Sequence, residues 1–328
     1  MTKYGLLLPH FGEHATRDNI LAGSKRAEEL GFDSLWVRDH LVFEPHGGLE
    51  KPVRTFYEAL TTLTAVGAVT SHIGLGTGSL IPFRHPIVTA LMISTITQFT
   101  GPRLTVGMGA GTFDHEFEAV GLGGADRVAL VRANAEILRN LSTGVDVSYE
   151  GKYFSFHDVT IEPRPVGGPV PFWYCGATPR SARLAVDFAD GWMPGRISLA
   201  TLKDRVSLMD RLSVQKGRAR PTVAVIPPTS VGATRQEALQ DVNVPGLLAW
   251  ANKAKFTVKP ASGHFDNVED LEGQLIAGSP EEVATECRKF EQVGVEHLVF
   301  DVRFKFDRWF EQIELLGSHV LPKLRQQR

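Results

Sequence analysis

Short apolar segments of strand length alternate along the chain with longer segments whose apolar residues recur at helical spacing. The eight predicted strands cover residues 4–9, 34–37, 73–77, 104–108, 171–174, 190–193, 222–227 and 297–302. The predicted helices cover residues 19–30, 56–70, 87–99, 127–141, 181–188, 199–216, 280–293 and about 307–320. This repeated alternation predicts a parallel sheet that closes into a single (β/α)8 barrel, an α/β fold.

Two segments interrupt the alternation. Residues 142–168 predict a polar hairpin followed by a Pro/Gly-rich connection, and residues 242–275 are too long for a plain loop. We therefore predict one barrel domain over residues 1–328 with two insertions, the second of which covers the barrel mouth. Loops after the strands build the site in such barrels, so the insertions are expected to set substrate specificity.

Charge and composition exclude several classes of partner. Lys and Arg total 35 against 37 Asp and Glu, a net charge of −2, so no broad positive field favours nucleic acid or an anionic membrane. The sequence has no secretory signal pattern and no apolar run of the ~20 residues that a membrane span needs. The two cysteines lie far apart, which fits a reducing compartment. We expect a cytoplasmic protein with a small-molecule substrate.

Polar or glycine-rich residues follow the first five predicted strands, at the rim where the carboxyl ends of parallel strands meet. They are Pro9-His10-Phe11, Arg38-Asp39-His40, Gly76-Thr77-Gly78-Ser79, Gly107-Met108-Gly109-Ala110-Gly111-Thr112 and Cys175-Gly176-Ala177-Thr178-Pro179-Arg180. Glycines at this rim allow a flat ring or a phosphate to approach the backbone closely. These segments are therefore expected to form one ligand site.

Two of these segments have alternative interpretations. Gly176-Ala177-Thr178 precedes a helix, where free amides and the helix dipole suit a phosphate, but a plain turn with a hydroxyl N-cap explains it equally well. The glycines at 107–111 depart from the dinucleotide fingerprint, which needs its last glycine at a helix start. A glycine-rich turn without a ligand remains the alternative there.

His40 beside Asp39 is the strongest candidate for proton transfer, because imidazole exchanges protons near neutral pH. A metal-ligand pair and a helix-capping carboxylate beside an ordinary histidine are the alternatives. A metal site is not expected, since Pro9-His10-Phe11 lacks the His-x-His pair of metal-dependent barrel hydrolases. Nucleophilic hydrolysis is disfavoured, because no Gly-x-Ser-x-Gly elbow occurs and Cys175 has no evident activating partner.

Five segments together resemble the luciferase-like monooxygenase superfamily. They are FDSLWVRDH (32–40), IGLGTGSLIPFRHP (73–86), GPRLTVGMGAGTFDHEF (101–117), FWYCGATPRSARLAVDFADGWMP (172–194) and IAGSPEEV (276–283). Their detail is most similar to the branch that uses the deazaflavin coenzyme F420, with the FMN-dependent branch as the alternative. The resemblance implies a (β/α)8 barrel that binds the coenzyme at the strand C-termini.

The resemblance also implies roles for individual residues. Asp39 and His40 would border the coenzyme ring, His40 with Asp39 forming the catalytic pair. Thr77, Gly78 and Ser79 would form a bulge behind the ring, with a non-prolyl cis peptide at Gly78–Ser79. The remaining coenzyme contacts would be Gly109, Ala110 and Gly111 at the ring and ribityl chain, Gly176, Ala177 and Thr178 at the phosphate, and Trp192 in the cavity wall.

A substrate pocket is expected beside the ring, lined by His10, Phe11, Phe43, Thr112, Phe113 and His115. Its aromatic members suggest a largely hydrophobic substrate, although they could equally be rim packing. Sugar-oxidising members of the F420 branch carry an acid where this chain has Thr112. Asp114, His115 and Glu116 are close enough in sequence to supply one.

Three functions follow from the resemblance. The leading hypothesis is hydride transfer between coenzyme F420 and an organic substrate, with His40 donating or accepting the proton. The alternative is a two-component monooxygenase that uses reduced FMN and oxygen on an aldehyde, ketone or aromatic, supplied by a separate reductase. A non-catalytic flavin-binding barrel is the third hypothesis. The family also implies a homodimer formed through barrel helices.

Overall fold

The computed structural model describes residues 1–46 and 50–326. In chain order its strands are β1 (Lys3–Leu7), β2 (Ser34–Val37), β3 (Gly74–Leu80), β4 (Leu104–Gly109), β5 (Val147–Glu150), β6 (Ser155–Val159), β7 (Phe172–Cys175), β8 (Gly191–Met193), β9 (Thr222–Val225), β10 (Thr229–Val231), β11 (Ile276–Gly278) and β12 (His297–Phe300). Strands β1, β2, β3, β4, β7, β8, β9 and β12 pair in that order as a closed parallel barrel. The predicted (β/α)8 fold is confirmed, and all eight predicted strands are barrel strands.

Helices surround the barrel. They are α1 (Arg17–Glu29), α2 (Ala59–Val69), α3 (Pro86–Thr100), α4 (Asp114–Ala119), α5 (Arg127–Thr143), α6 (Pro179–Phe188), α7 (Leu199–Lys216), α8 (Arg235–Leu239), α9 (Val244–Lys253), α10 (Pro280–Val293), α11 (Trp309–Leu315) and α12 (Leu321–Arg325). Short 3-10 helices span Val268–Leu271 and Arg303–Arg308, and a π-helical segment, Leu316–Val320, joins α11 to α12. The last predicted helix is thus longer and divided, because Pro322 starts a new helix at its first turn.

Two tryptophans fill the lower half of the barrel, and glycines make room for them. A side chain on Gly76 would lie 2.5 Å from the Trp36 ring, and one on Gly191 would lie 2.4 Å from Trp173. The two indole rings pack with centroids 5.2 Å apart. Ser34 accepts a hydrogen bond from Trp36 Nε1 at 2.7 Å and lies 2.7 Å from His297 Nε2. The floor of the barrel is therefore closed, and a ligand site can form only at its upper end.

Both interruptions form structure of their own. In the first, β5 and β6 form the predicted antiparallel hairpin. The second contains α9, which the sequence pattern did not predict, and packs Leu247, Phe265 and Leu271 into a small separate core. Trp250 on α9 and Phe256 beyond it reach the cavity at the barrel mouth. This segment therefore covers the mouth in part, as predicted.

Candidate active site

A cavity of about 700 Å³ opens at the carboxyl ends of the barrel strands. That volume lies within the usual range for small-molecule sites. Eleven of the residues predicted from the sequence line it, namely Asp39, His40, Gly78, Ser79, Gly109, Ala110, Gly111, Thr112, Gly176, Ala177 and Thr178. The loops after four separate strands thus meet around one space.

A bulge at the end of β3 forms one wall of the cavity. The Gly78–Ser79 peptide bond is cis, as the resemblance implied, and the pairing of β3 with β4 shifts between Thr77 and Leu80. Thr77 itself is fully buried, and its hydroxyl donates to the Gly107 carbonyl at 2.8 Å. Thr77 therefore anchors the bulge from behind, while Gly78 and Ser79 face the cavity.

The end of β4 lies directly beside this bulge and presents backbone to the cavity at its glycines. A Cβ on Gly109 would lie 2.6 Å from Ser79 Oγ and 3.2 Å from Ser79 Cβ. Gly111 has a φ of +74°, a conformation that residues with side chains rarely adopt, and a Cβ there would meet Phe117 at 2.8 Å. The ends of β3 and β4 thus form one wall, here called the glycine wall, against which a planar ring can lie closely.

The amino end of α6 closes one side of the cavity. Thr178 is the N-cap residue and accepts a hydrogen bond from the Ser181 amide at 3.1 Å. The amides of the first helical turn have no partner within the helix and carry the positive end of its dipole. Arg180 adds a cationic side chain to the same rim. The structure thus contains the capping turn, and the predicted phosphate site would use the amides beside it.

Asp39 lies at the cavity but is committed to an ion pair. Its carboxylate accepts two hydrogen bonds from Arg84, at 2.8 and 2.9 Å, and one from the Ile81 amide at 3.0 Å. The Asp39 side chain is fully buried. These contacts hold the segment after the β3 bulge, so the geometry gives Asp39 a positioning role in place of the expected catalytic one.

His40 also lines the cavity, and both of its ring nitrogens have partners. Nδ1 lies 3.1 Å from Glu116 Oε2, and Nε2 lies 3.2 Å from an Arg38 nitrogen. Glu116, on α4, also accepts hydrogen bonds from the amides of Leu41 and Val42. Burial favours a higher pKa for Glu116, but the His40 contact and these amides outweigh it and lower the pKa. Glu116 is buried and pairs with His40, but it is not one of the residues that line the cavity.

A buried charge network lies beside His40. Glu50 accepts hydrogen bonds from Arg38 and Arg303, both at 2.6 Å, and Arg303 also pairs with Asp301. Burial would raise the pKa of Glu50, but the His46 hydrogen bond and the two arginines lower it well below its usual range. Glu50 is therefore ionised and bridges two loops that are 253 residues apart in sequence.

Arg196 follows β8 and lines the cavity near Arg303. Its Nε is buried without a hydrogen-bond partner, and its guanidinium lies 4.8 Å from the centre of the Trp250 ring. Burial and the nearby charge of Arg303 lower the pKa of Arg196 to about 9, which leaves it protonated at neutral pH. A buried cation with an unsatisfied donor is costly unless a ligand pairs with it.

Besides Thr77, six predicted residues lie away from this cavity. His10 is fully buried and hydrogen-bonds the Leu8 carbonyl and the Arg38 backbone, and burial lowers its pKa to about 3. Trp192 is also fully buried and donates to the Gly176 carbonyl at 2.8 Å, so it supports the cavity wall from behind. Neither side chain lines the cavity, contrary to the expectation. The next residue of β8, Met193, does line it, and neighbouring residues of a strand point to opposite faces.

The aromatic residues of the predicted pocket form a cluster at the rim. Phe11 and Phe43 line a neighbouring cavity of about 280 Å³, which shares Arg303 with the larger one. The Phe113 ring packs against those of His46 and His115, and His115 hydrogen-bonds the Val42 carbonyl. Of the predicted substrate pocket, Thr112 is the member that lines the main cavity. The other aromatic side chains act here as packing.

Other chemistries find little support in the part of the chain that the structure describes. No group of three His, Cys, Asp or Glu side chains is arranged there to hold a metal ion. Burial raises the pKa of Cys175 to about 12, so its thiol is protonated and is a poor nucleophile. Among the helices of residues 1–46 and 50–326, none is long and apolar enough to cross a bilayer.

Comparison with known proteins identifies the family of this chain. The model of the luciferase-like monooxygenase family matches residues 3–297, and the chain belongs to that family. An F420-dependent glucose-6-phosphate dehydrogenase of Nakamurella multipartita is 30% identical over 316 residues, which cover 91% of this chain and 90% of that protein.

Solved structures share the fold at low sequence identity. An F420-dependent secondary alcohol dehydrogenase in complex with an F420-acetone adduct superposes with a TM-score of 0.80 at 20% identity, covering 99% of both chains. The oxygenating constituent of 3,6-diketocamphane monooxygenase from Pseudomonas putida, in complex with FMN, gives a TM-score of 0.78 at 19% identity, again covering 99% of both chains. At such identities the likeness shows the fold alone.

Proposed function

We propose that this chain is an oxidoreductase that transfers a hydride between coenzyme F420 and an organic substrate. The observation that carries the proposal is one continuous cavity with the glycine wall on one side and a cationic helix terminus at its edge. Relatives named as F420-dependent dehydrogenases over nine tenths of the chain support the choice of coenzyme. When bound, the deazaflavin supplies the two-electron hydride acceptor or donor.

The residues of the cavity fit such a coenzyme. The ring would lie against Gly78, Ser79 and Gly109 of the glycine wall, and Ala110 and Gly111 would follow the ribityl chain. The amides at the start of α6, with Arg180, would hold the phosphate. The chain thus positions the ring, excludes water beneath it through the closed barrel floor, and leaves the substrate to approach from the side of the β8 and β12 loops.

That substrate side combines apolar surface with one cation. Ile226, Trp250 and Phe256 offer surface to a hydrophobic body, while Arg196 offers a guanidinium whose buried Nε has no hydrogen-bond partner. We propose that the substrate carries an anionic group, such as a carboxylate or phosphate, which pairs with Arg196. The aromatic residues led us to expect a largely hydrophobic substrate. The proposed substrate keeps a hydrophobic body but adds one anionic group.

Replacing Arg196 by Met removes this charge and keeps the length of the side chain. Losing a hydrogen bond to a charged group costs about 1.5–3 kcal/mol, which corresponds to a KM higher by about 10- to 100-fold for an anionic substrate. We expect that rise for lactate and glucose 6-phosphate, and no rise for neutral propan-2-ol. Arg211→Met, at an exposed position of α7, is the control. An equal rise for all three substrates would contradict the role of Arg196.

Turnover tests the proposed reaction. Oxidised coenzyme F420 is mixed anaerobically with propan-2-ol, lactate or glucose 6-phosphate, and reduced coenzyme with the corresponding ketones and lactone, while coenzyme absorbance is followed. We expect a substrate-dependent absorbance change without oxygen. No change across the panel, with the coenzyme bound, would instead support the non-catalytic flavin-binding hypothesis.

The FMN-dependent monooxygenase is the alternative, because a structural neighbour holds FMN in the same fold. Product would then form only with oxygen and a reductase that supplies reduced FMN, and the deazaflavin would be ignored. The same substrate panel with reduced FMN and oxygen separates the two functions.

We further propose that the protein is a homodimer joined through α2 and α3. Neither helix contains an Asp, Glu, Lys or Arg, although both lie on the outside of the barrel. The side chains of Val88 and Phe99 are 51% and 66% exposed, and Leu91 lies between them. An uncharged apolar face is complementary to itself, and contiguous exposed apolar patches on soluble proteins mark interfaces.

A charge on this face should separate the dimer. We expect Leu91→Glu with Phe99→Glu to reduce the molar mass measured by light scattering from twice 36.0 kDa to 36.0 kDa. Phe310→Glu, at a 42% exposed position on α11, should leave the dimer intact. A wild-type monomer, or a dimer that survives the double change, would contradict this interface.

We propose a cytoplasmic location for the protein. Cys175 and Cys287 are both free thiols in the structure, and both are largely buried. Deazaflavin and flavin coenzymes are used as soluble reductants, which fits a reducing compartment better than an oxidising one. Cell fractionation with an antibody to the chain would test the location.

A further inference from the structure

A second histidine, His46, faces the cavity in addition to His40. Its Nδ1 lies 2.9 Å from Glu50 Oε2, and the His46 backbone amide donates to the same oxygen at 2.9 Å. Within residues 1–46 and 50–326, no polar atom is hydrogen-bonded to His46 Nε2, and the side chain is 23% exposed. The ring is held in place by the packing of Phe43 and Phe113.

The hydrogen-bond partners assign the tautomer of each histidine. An Arg38 nitrogen lies 3.2 Å from His40 Nε2, and because a guanidinium only donates, that nitrogen must accept and Nδ1 must donate to Glu116. The Glu50 carboxylate only accepts, so His46 Nδ1 carries the proton that Glu50 receives. Arg38 is also 3.4 Å from His46 Nδ1, too long to compete with the 2.9 Å bond. Both ring nitrogens of His40 thus have partners, whereas His46 Nε2 has none among residues 1–46 and 50–326.

We infer that His46, not His40, is the residue that exchanges the substrate proton, with Glu50 as its positioning residue. The inference rests on the proposed hydride transfer. In the oxidative direction the substrate C–H bond breaks, its electron pair and hydrogen pass to the coenzyme, and the O–H proton passes to His46 Nε2 as C=O forms. The substrate is oxidised, the coenzyme is reduced, and the imidazolium later releases its proton to solvent. Reduction of a ketone runs through the same atoms in reverse.

The charges around His46 suit a base. Glu50, Arg38, Arg303 and the His40 ring are the titratable groups that surround it. Burial is the largest influence and lowers the pKa of His46; Arg38 and Arg303 lower it further, and Glu50 opposes them. A lowered pKa leaves the imidazole neutral at pH 7. Alcohol oxidation should therefore lose rate as pH falls through this pKa, below the usual value of about 6.5.

Chemical modification tests the free nitrogen without turnover. Diethyl pyrocarbonate acylates an unprotonated, accessible imidazole nitrogen, and peptide mass spectrometry reports the rate at each histidine. We expect His46 to react at least about tenfold faster than His40, because acylating His40 must first break a charge-assisted hydrogen bond. The exposed His264 supplies the reference rate. The His46 rate should fall at acid pH with a midpoint below the usual histidine value of about 6.5. A faster His40, or equal rates, would overturn the inference.

Kinetics of His46→Gln and His40→Gln provide the second test. The affinity of each form for coenzyme F420 is measured first. If the wild-type protein does not bind coenzyme F420, the proposed function is wrong. The role of His46 is then decided by the modification rates alone. With the coenzyme bound equally by all forms, we expect His46→Gln to lower kcat/KM for alcohol oxidation by about 100-fold and to abolish the acid limb of its pH profile. His40→Gln should retain that limb. Loss of the limb in His40→Gln, with retention in His46→Gln, would overturn the inference.

Discussion

Replacement of Asp39 by Ala is expected to destabilise the protein by about 3–5 kcal/mol, since removing one partner of a buried ion pair strands the other charge. The Asp39 carboxylate accepts hydrogen bonds from both terminal nitrogens of Arg84 and from the Ile81 amide, and all three would be lost. Urea unfolding of the two proteins measures the difference. Coenzyme affinity should fall as well, because the released segment forms one wall of the cavity.

Glu58→Gln is the matched control for this prediction. Glu58 binds the same arginine at 2.7 Å but is 38% exposed, where ion pairs contribute about 0–1 kcal/mol. A loss below about 1 kcal/mol is therefore expected for Glu58→Gln. If Asp39→Ala lowers the free energy of unfolding no more than Glu58→Gln does, the Asp39–Arg84 ion pair does not stabilise the β3 bulge. The positioning role of Asp39 is then wrong.

Replacement of Gly109 by Val is expected to weaken the binding of coenzyme F420 by about 100-fold, or about 2.7 kcal/mol. The added Cβ would lie 2.6 Å from Ser79 Oγ and 3.5 Å from the Cys175 Cβ, so the side chain would disturb the glycine wall against which the ring is proposed to lie. Isothermal calorimetry gives the dissociation constants. Because Ser79 must shift to admit the new Cβ, the free energy of unfolding of the variant is measured as well, to show that the loss of affinity is not a loss of the fold.

Gly123→Val is the control for the glycine wall. Gly123 lies on the exposed loop after α4, where a Cβ would meet only the flexible Glu118 side chain at 3.2 Å. The affinity of the Gly123→Val variant for coenzyme F420 should equal that of the wild type. An unchanged affinity in Gly109→Val would show that the ring does not bind against the glycine wall at the ends of β3 and β4.

The eight-fold alternation of strand and helix was sufficient to predict the fold, because each barrel strand is a short buried segment with a local pattern. The ligand-facing backbone was predictable for a similar reason. Glycines such as Gly78, Gly109 and Gly176 stand directly after strands, where the parallel arrangement brings chain ends together.

Side-chain partnerships were less predictable. Arg38, Glu50 and Arg303 meet although Glu50 and Arg303 lie 253 residues apart, and no local pattern encodes that contact. His46 and Glu50 do carry a signal, a spacing of four residues, but the spacing also occurs by chance. His10 and Trp192 were misplaced because side-chain direction at a strand end depends on the register of the sheet.

More of the site could have been predicted by examining the residues that follow all eight strands, instead of only the first five. The loops after the sixth and eighth barrel strands contain Arg196 and Asp301 with Arg303, all of which line the cavity. Glu116 lies on a helix of six residues, too short to show helical periodicity in the sequence. Its role became visible only through its contact with His40.

The central claim is that loops from separate barrel strands form one binding site for the deazaflavin ring and its phosphate. Titration of the protein with coenzyme F420, followed by quenching of the coenzyme fluorescence and set against a parallel titration with FMN, tests it most directly. We expect one saturable site per chain and at least about tenfold tighter binding of coenzyme F420 than of FMN. Tighter binding of FMN, or no saturable binding of coenzyme F420, would contradict the claim.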